Sequence, residues 1–274
     1  MMANWLVTGA SSGIGYGIAM AALAAGNRVA VTSRSLTKLQ RLTEQYPQQC
    51  FPVALELSDD DSIVLAIEKL DDFGLIDVLV TNAGHGYRAA VEEDEDERIR
   101  EIYATNLFGP VKLIRHFLPH MRHQHRGAII NISSIAAVQS GVGSGYYAST
   151  KAALEQISRA LQEEVTSLGI KVMVVEPGGF RTAFYGDNLK GTQKDIADYK
   201  ATAWKTHKEN VKNDHRKPGD PLKAGKVIVE TIAKDDPPKT LLLGSDAVAF
   251  VSGQLKQRLQ EIADWQDVSK RTDY

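Results

Sequence analysis

The sequence predicts a three-layer α/β fold, in which a doubly wound parallel sheet of about seven strands lies between two layers of helices. Short β-branched runs alternate with amphipathic helical stretches from the first residues onward, and this alternation is typical of a parallel sheet with crossover helices. Several runs are apolar without interruption, such as 78–80 and 172–175, which indicates strands that are covered on both faces. A glycine-rich loop joins the first run to the first helical stretch.

Predicted strands and helices alternate along one domain that spans residues 1–263. The strands are expected at 5–8, 28–32, 51–55, 76–81, 128–132, 171–176 and 240–243. Crossover helices are expected between them, for example at 15–25, 62–70 and 148–167. The stretch 185–223 is polar, rich in lysine and interrupted by glycine and proline, so we expect an irregular substrate lid at about 181–216. The polar residues 264–274 are expected to form a frayed C-terminal tail.

The composition argues against several classes of protein. The 274 residues are 43% hydrophobic and 24% charged, with a formal net charge of −2, which offers no electrostatic case for a nucleic-acid partner. No run approaches the roughly 20 apolar residues that a membrane span needs, and the first residues do not form a signal peptide. A single cysteine, Cys50, excludes an intramolecular disulfide. We therefore expect a cytoplasmic protein without a membrane partner.

The loop at residues 8–15 has the arrangement of a dinucleotide-binding turn in a Rossmann fold. Gly9 and Gly13 permit a tight turn and let the backbone approach a pyrophosphate, and Gly15 lets the first helix pack closely on the first strand. The N-terminus of that helix presents free N–H groups to phosphates. The same loop contains a Gly9-x-Ser11-x-Gly13 pattern, formally the nucleophile elbow of a serine hydrolase. That alternative is disfavoured, because the oxyanion loop of such enzymes follows an earlier strand and none precedes residue 5.

Arg34 follows the second predicted strand and bears on the choice of cofactor. NAD(H) calls for an acidic residue there to bind the ribose hydroxyl, and residues 31–35 contain no carboxylate. A guanidinium fits the oxygens of a 2′-phosphate through its planar fork of donors. NADP(H) is therefore favoured over NAD(H), with a solvated loop arginine as the alternative.

Tyr147 and Lys151 are spaced i, i+4 and share one face of a predicted helix. A phenol has an unperturbed pKa of about 10 and is a poor acid–base catalyst near neutral pH. A neighbouring ammonium and an oxidised nicotinamide would both favour the phenolate and lower the pKa of Tyr147. On spacing alone such a pair is more often structural than catalytic.

The whole set of motifs resembles the short-chain dehydrogenase/reductase family over roughly residues 4–182. The resemblance rests on motifs that occur in the family's order and spacing, namely the loop at 8–15, Asn82-Ala83-Gly84, Asn106 within 105–109, residues 131–134, residues 147–151 and Pro177-Gly178. Two positions depart from the family pattern. Glu56, before Leu57, stands where aspartate is common, and Thr81 stands where a second asparagine is common.

The resemblance implies a catalytic tetrad of Asn106, Ser134, Tyr147 and Lys151. Tyr147 would act as general acid in reduction and as general base in oxidation. Ser134, thirteen residues before the tyrosine, would stabilise the substrate oxygen. Lys151 would hold the nicotinamide ribose and lower the pKa of Tyr147, and Asn106 would anchor a water that relays protons to Lys151.

The predicted cofactor contacts combine the glycine loop, Arg34 and the positions that the resemblance adds. They are Gly9, Ser11, Ser12, Gly13, Ile14, Gly15, Arg34, Glu56, Leu57, Asn82, Ala83, Gly84, Tyr147, Lys151, Pro177, Gly178 and Thr182. The predicted activity is hydride transfer between NADP(H) and a carbonyl or secondary alcohol of a small, partly apolar molecule. The alternative from another class is a dinucleotide-binding sensor without turnover. The resemblance also implies a homodimer or homotetramer packed through helices at 105–124 and 148–167.

Three further features have plainer interpretations. His116 and His120 have a spacing found in metal sites, but Pro119 is expected to break the helix and no Cys or Asp joins them, so we expect no metal. The acidic run 92–97 is expected to be a solvated helix start. Phe180, Phe184 and Tyr185 follow the Pro-Gly turn and could either line an apolar substrate pocket or serve packing alone.

Overall fold

The structure is a computed structural model that describes residues 2–184, 186, 189–192, 194, 196–212 and 216–274. Its strands are β1 (Asn4–Val7), β2 (Arg28–Ser33), β3 (Cys50–Ala54), β4 (Val78–Thr81), β5 (Gly86–Arg88), β6 (Gly127–Ile132), β7 (Ile170–Pro177), β8 (Leu189–Gly191) and β9 (Thr240–Leu243). Seven of them form one parallel sheet in the order β3-β2-β1-β4-β6-β7-β9. The predicted doubly wound sheet is confirmed. The first and last residues of each predicted strand lie within two residues of those of the observed strand.

Helices cover both faces of this sheet. They are α1 (Gly13–Ala24), α2 (Gln40–Gln45), α3 (Asp60–Asp71), α4 (Asp96–Tyr103), α5 (Gly109–Gln124), α6 (Gly145–Val165), α7 (Lys205–Lys212), α8 (Pro221–Ile232) and α9 (Ser245–Ser269). One core lies between the sheet and helices α1 and α8, and a second lies between the sheet and helices α3, α5 and α6. Leu6 and Val7 are neighbours in β1 that enter opposite cores, and both are fully buried. This two-sided burial explains the uninterrupted apolar runs.

The order of the strands reverses between β1 and β4. The connections that leave these two strands pass to opposite faces, so a crevice opens at their carboxyl ends. The segments that follow β1, β2, β4, β6 and β7 all reach this edge of the sheet. Residues just after these strands are therefore brought together.

The predicted lid is more regular than expected. Strand β8 pairs in parallel with β5 in a separate small sheet, and a 3₁₀ turn (Ala197–Tyr199), a π-helical turn (Lys200–Trp204) and α7 follow. The expectation of an irregular insertion is wrong for these residues. The rest of the predicted lid, including Tyr185, lies outside the described residues.

Two other expectations are wrong. Helix α5 continues through Pro119, because Phe117 and Met121 on either side are buried in the core and hold the helix together. The predicted frayed tail is instead the end of α9, followed by a 3₁₀ turn at Lys270–Thr272. Residues 254–269 contain no glycine or proline and are rich in helix-favouring side chains. None of the helices among the described residues is both long and apolar enough to cross a bilayer.

Candidate active site

A cleft of about 280 Å³ lies at the carboxyl ends of the central strands. It occupies the reversal point between β1 and β4, where doubly wound sheets bind ligands. Every predicted site residue lines it except Gly15 and Asn106. The predicted residues in its walls are Gly9, Ser11, Ser12, Gly13, Ile14, Arg34, Glu56, Leu57, Asn82, Ala83, Gly84, Ser134, Tyr147, Lys151, Pro177, Gly178 and Thr182.

The glycine loop forms a cradle at one end of the cleft. Gly9 and Gly13 have φ angles of +67° and +59°, a region that other residues rarely adopt. A Cβ added at Gly13 would lie 3.1 Å from the methyl carbon of Thr182 and would narrow the cradle. The loop leads into α1, whose first N–H groups have no partner within the helix. This arrangement suits an anionic group such as a pyrophosphate.

Hydrogen bonds hold the loop against the segment that follows β4. The Thr8 hydroxyl accepts the N–H groups of Asn82 at 2.9 Å and Ala83 at 3.0 Å. The Asn82 side chain donates to the carbonyl of Thr8 at 2.9 Å. Gly15 lies behind this contact, because a Cβ there would overlap with Asn82 Nδ2. Gly15 therefore serves helix packing rather than the wall of the cleft.

Tyr147 and Lys151 lie one turn apart on the buried face of α6, with exposed fractions of 6% and 5%. The Phe184 ring packs on the Tyr147 ring, with centroids 5.4 Å apart. Lys151 Nζ donates to the carbonyl of Ile132 at 2.9 Å. Burial lowers the pKa of Lys151 to about 8, and the neighbouring Glu155 acts in the opposite direction. The ammonium therefore keeps its proton at neutral pH.

Ser134 and Ser133 both line the cleft, but their hydroxyl groups differ. Ser133 donates its hydroxyl proton to Glu155 Oε1 of α6 at 2.6 Å, so this proton is not available to a ligand. Ser134 Oγ accepts the N–H of Ala136 at 3.1 Å. Among the described residues its own proton has no acceptor, and it is available to a ligand in the cleft.

Asn106 is fully buried in a π-helical turn (Ala104–Phe108) between α4 and α5. Its Oδ1 accepts the N–H of His85 at 3.1 Å, and its Nδ2 donates to the His85 carbonyl at 3.0 Å and to Thr150 at 3.3 Å. The side chain thus fixes the loop after β4, where a Cβ on Gly84 would lie 3.5 Å from Lys151 Nζ. A water relay at Asn106 stays a prediction.

Arg34 follows β2, whose residue Thr32 bonds to the glycine loop, and the Arg34 side chain is largely exposed. Its Nη1 is 3.8 Å from Glu56 Oε2, and the other carboxylate oxygen of Glu56 accepts from Ser58. The guanidinium is therefore loosely paired and accessible to a ligand. The carboxylate of Glu56 competes for it, which the sequence did not indicate.

The cleft also contains charged residues that the sequence analysis missed. Lys190 of β8 forms an ion pair with Glu101 of α4 across the mouth of the cleft. His85 lies beside them, and burial together with the Lys190 charge lowers its pKa to about 4. The additional lining residues are Thr32, Ser33, Leu55, His85, Glu101, Thr105, Ile132, Ser133, Ala183 and Lys190. Phe180 and Phe184 line the cleft as well.

In the part of the chain that the structure describes, no group of three or more His, Cys, Asp or Glu side chains is arranged to hold a metal ion.

Glu93 anchors the lid to the body of the protein. Its side chain is fully buried, so the expectation that the whole run 92–97 is solvated is wrong. Oε1 accepts the N–H of Ile196 at 2.9 Å and the indole N–H of Trp204 at 2.8 Å, and Oε2 accepts the N–H of Ala90 at 3.1 Å. Burial acts to raise the pKa of Glu93, but these hydrogen bonds outweigh it, and the pKa is lowered. The carboxylate stays charged and holds the lid.

We expect Glu93→Gln to loosen the lid. The amide keeps the size of the side chain but loses the charge and one acceptor, and a hydrogen bond to a charged group contributes about 1.5–3 kcal/mol. Hydrogen exchange at residues 196–204 should accelerate by about tenfold or more, since 1.4 kcal/mol corresponds to a factor of ten. Glu92→Gln is the control, because Glu92 accepts only the exposed Tyr199 hydroxyl among the described residues. Equal exchange in both variants would contradict the anchor.

Comparisons with known proteins agree with this architecture. Residues 3–192 match the family described as short chain dehydrogenase. The oxidoreductase BOA17 of Botryotinia fuckeliana is 33% identical over 268 residues, which cover 97% of each chain.

Solved structures give the same result. A short-chain dehydrogenase from Streptomyces avermitilis is 39% identical, with a TM-score of 0.91 over 99% of this chain and 98% of its own. An alcohol dehydrogenase from Thermococcus sibiricus, complexed with 5-hydroxy-NADP, is 25% identical, with a TM-score of 0.71 over 89% of this chain and 96% of its own.

Proposed function

This chain belongs to the short-chain dehydrogenase family, and we propose that it transfers a hydride between NADP(H) and a carbonyl or secondary alcohol of a small, partly apolar molecule. The observation that carries the proposal is the arrangement of one cleft. Tyr147, Ser134 and Lys151 lie in the same cleft as the glycine cradle. A buried phenol, an available hydroxyl and a buried ammonium are the groups that proton transfer to a carbonyl oxygen requires.

The residues present fit a nicotinamide dinucleotide. The loop has no room for side chains at Gly9 and Gly13, because an added Cβ would lie 2.9 Å from Ala83 Cα or 3.1 Å from the methyl carbon of Thr182, and the loop leads to the N-terminus of α1. Pro177, Gly178 and Thr182 line the cleft near the end of β7. When bound, such a cofactor supplies or accepts the hydride.

Each polar group of the site has a separate part in this proposal. In reduction, the Tyr147 hydroxyl donates its proton to the carbonyl oxygen, and in oxidation the phenolate takes it back. Ser134 donates a hydrogen bond to the same oxygen and stabilises the charge that develops there. The Lys151 ammonium lies one turn along α6 and favours the phenolate. Phe184 and Phe180 offer apolar surface to the substrate.

A coupled assay tests the activity. Purified protein is incubated with NADPH and a panel of aliphatic and aromatic ketones and aldehydes, and the loss of reduced nicotinamide is followed by absorbance. We expect turnover of at least one class of carbonyl. Tight binding of NADPH without any turnover across the panel would contradict an enzyme and favour a sensor.

The preference for NADP(H) rests on Arg34. No carboxylate follows β2 at residues 34–35, and the accessible guanidinium matches a phosphate. The Thermococcus sibiricus relative was solved with an NADP analogue, which supports the same preference here.

We expect Arg34→Ala to weaken NADPH binding by about 10–100-fold, because a charged hydrogen bond contributes about 1.5–3 kcal/mol. NADH binding should change little, because NADH lacks the 2′-phosphate. Fluorescence titration with both cofactors measures the ratio. Arg126→Ala is a matched control, since Arg126 is also exposed and paired with a carboxylate, Asp77, but lies before β6 at the other edge of the sheet. If the ratio of NADPH affinity to NADH affinity were unchanged in Arg34→Ala, Arg34 would not be the residue that binds the 2′-phosphate.

A further inference from the structure

Glu155 is a buried acidic residue of α6 that does not line the cleft. It lies one turn beyond Lys151, and both residues are buried on the face of α6 that packs on the sheet. Burying a carboxylate is costly unless hydrogen bonds and opposite charges compensate for the lost water. Any effect of Glu155 on the chemistry in the cleft is therefore exerted through the residues that it contacts.

Lys151 and Glu155 hold two consecutive residues at the end of β6. Lys151 Nζ donates to the carbonyl of Ile132 at 2.9 Å, and Glu155 Oε1 accepts the hydroxyl proton of Ser133 at 2.6 Å. The next residue along the chain is Ser134, whose hydroxyl is available to a ligand. The two charged side chains of α6 thus fix the end of β6 from which Ser134 reaches the cleft.

Glu176 of β7 is a second buried carboxyl in this region. Among the described residues its Oε2 has no hydrogen-bond partner, and burial together with the charge of Glu155 raises the pKa of Glu176 to about 7. Burial raises the pKa of Glu155 as well. The hydrogen bond from Ser133 and the positive charges of Arg159 and Lys151 act in the opposite direction. Because donors and positive charges reach Glu155, it is the carboxyl of the two that ionises first as the pH rises.

The charge of Glu155 acts directly on Lys151. Of the described residues, Glu155 is the one whose negative charge raises the pKa of Lys151 against the effect of burial. In the loop after β4, burial lowers the pKa of His85 to about 4, so His85 is neutral at neutral pH. The Asn106 side chain that fixes this loop is an uncharged amide. The remaining titratable neighbour on α6 is Tyr147, the group on which Lys151 acts in the proposed reaction.

We propose that Glu155 is a positioning residue, which holds Ser134 in place through Ser133 and preserves the ammonium charge of Lys151. This role rests on the proposed function, because it is exerted on two groups of that reaction. Without the charge of Glu155, Lys151 would lose its proton at a lower pH. Without the bond to Ser133, the end of β6 could shift, and a small displacement of a catalytic group can lower a rate by about 10²-fold.

The pH profile of carbonyl reduction separates the two parts of this role. Glu155→Gln keeps an acceptor for Ser133 but loses the charge, so kcat below pH 7 should stay close to that of the wild type, while the fall at high pH should begin at a lower pH. Ser133→Ala keeps the charge but loses the bond, so kcat should fall by about 10–100-fold, the effect of losing one hydrogen bond to a charged group, and the position of the fall at high pH should not move. An unchanged profile in Glu155→Gln, or an unchanged kcat in Ser133→Ala, would overturn the proposal.

Glu176→Gln is the matched control for these variants. It removes a carboxyl that is as buried as Glu155, but among the described residues Glu176 has no hydrogen bond to β6. Its pH profile should match that of the wild type. Circular dichroism establishes that all three variants fold. An equal shift of the profile in Glu176→Gln and Glu155→Gln would show a general effect of buried charge and would contradict a specific role of Glu155.

Nuclear magnetic resonance measures the effect on Lys151 without turnover. Lysine is labelled with carbon-13 at Cε, and the Lys151 signal is identified by its loss in Lys151→Met. We expect the titration midpoint of this signal at a lower pH in Glu155→Gln than in the wild type, and no change in Glu176→Gln. Equal midpoints in Glu155→Gln and the wild type would overturn the proposal even in an active enzyme. A lowered midpoint in a protein that turns over no carbonyl would support the effect of Glu155 on Lys151 and contradict the proposed function alone.

Discussion

Tyr147→Phe is expected to lower kcat by about 10²–10⁴-fold, the contribution that general acid–base catalysis usually makes. The substitution removes the proton that the phenol donates to the carbonyl oxygen. It leaves the aromatic ring, whose contact with Phe184 at 5.4 Å between centroids holds the lid side of the cleft. Cofactor affinity and KM should therefore change much less than kcat. Steady-state kinetics with any ketone found in the substrate panel measure the effect.

Tyr146→Phe is a matched control for this experiment. The neighbouring phenol donates to the backbone carbonyl of Val91 at 3.1 Å, and it does not line the cleft. Its loss should leave kcat within about twofold, since a single exposed hydrogen bond contributes about 0.5–1.5 kcal/mol to stability alone. A Tyr147→Phe enzyme that retained its kcat would exclude Tyr147 as the proton donor.

The fold and most of the cleft could be predicted because both depend on local patterns. Two-sided burial makes a strand such as β4 apolar throughout, and a short run suffices to recognise it. Residues that directly follow such strands, such as Asn82 and Ser134, must reach the same edge of a parallel sheet. Tyr147 and Lys151 are related by one turn of a helix. No long-range contact had to be known to bring these groups together.

The missed features depend on pairings between distant segments. Glu93 meets Trp204 across 111 residues, and Lys190 meets Glu101 across 89. A glutamate in an acidic run has the same local sequence whether it is solvated or buried. Whether it can be buried depends on the hydrogen-bond donors that other segments bring to its carboxylate. Those donors come from the insertion, which has no repeating pattern. His85 has one usable signal, its place directly after Asn82-Ala83-Gly84.

The sequence predicted the position of Asn106 near the site but not its hydrogen bonds. The motif at 105–109 placed an asparagine near the site, and the structure places it beside the loop that follows β4. Its side-chain bonds to the His85 backbone span 21 residues, and only a folded chain reveals them. The contact suggests that Asn106 positions Gly84 beside Lys151, whatever further part it has in proton relay.

Lys151→Met is expected to lower kcat by about 10²–10³-fold, the usual effect of removing one group that stabilises developing charge. Methionine is of similar length and fills the same space without the ammonium. The fall in kcat should resemble the fall that the wild type shows at high pH, where Lys151 is neutral. Because the pKa of Lys151 is lowered to about 8, the ammonium loses its proton above that pH, and wild-type reduction should fall there. The variant should lack this limb of the pH profile.

Lys151→Met should also change how the stability of the folded protein depends on pH. The folded protein holds the Lys151 proton with a pKa of about 8, against 10.5 for an ordinary lysine, so between these values the unfolded chain binds more protons. Linkage then requires that wild-type stability rise with pH over this interval, relative to Lys151→Met. Thermal melts at pH 7 and pH 10 measure the difference. Lys171→Met is the control, because Lys171 Nζ also donates to a backbone carbonyl, that of Lys234 at 2.6 Å, but the residue is only partly buried. If both lysine variants showed the same dependence on pH, burial of the Lys151 ammonium would not be its cause.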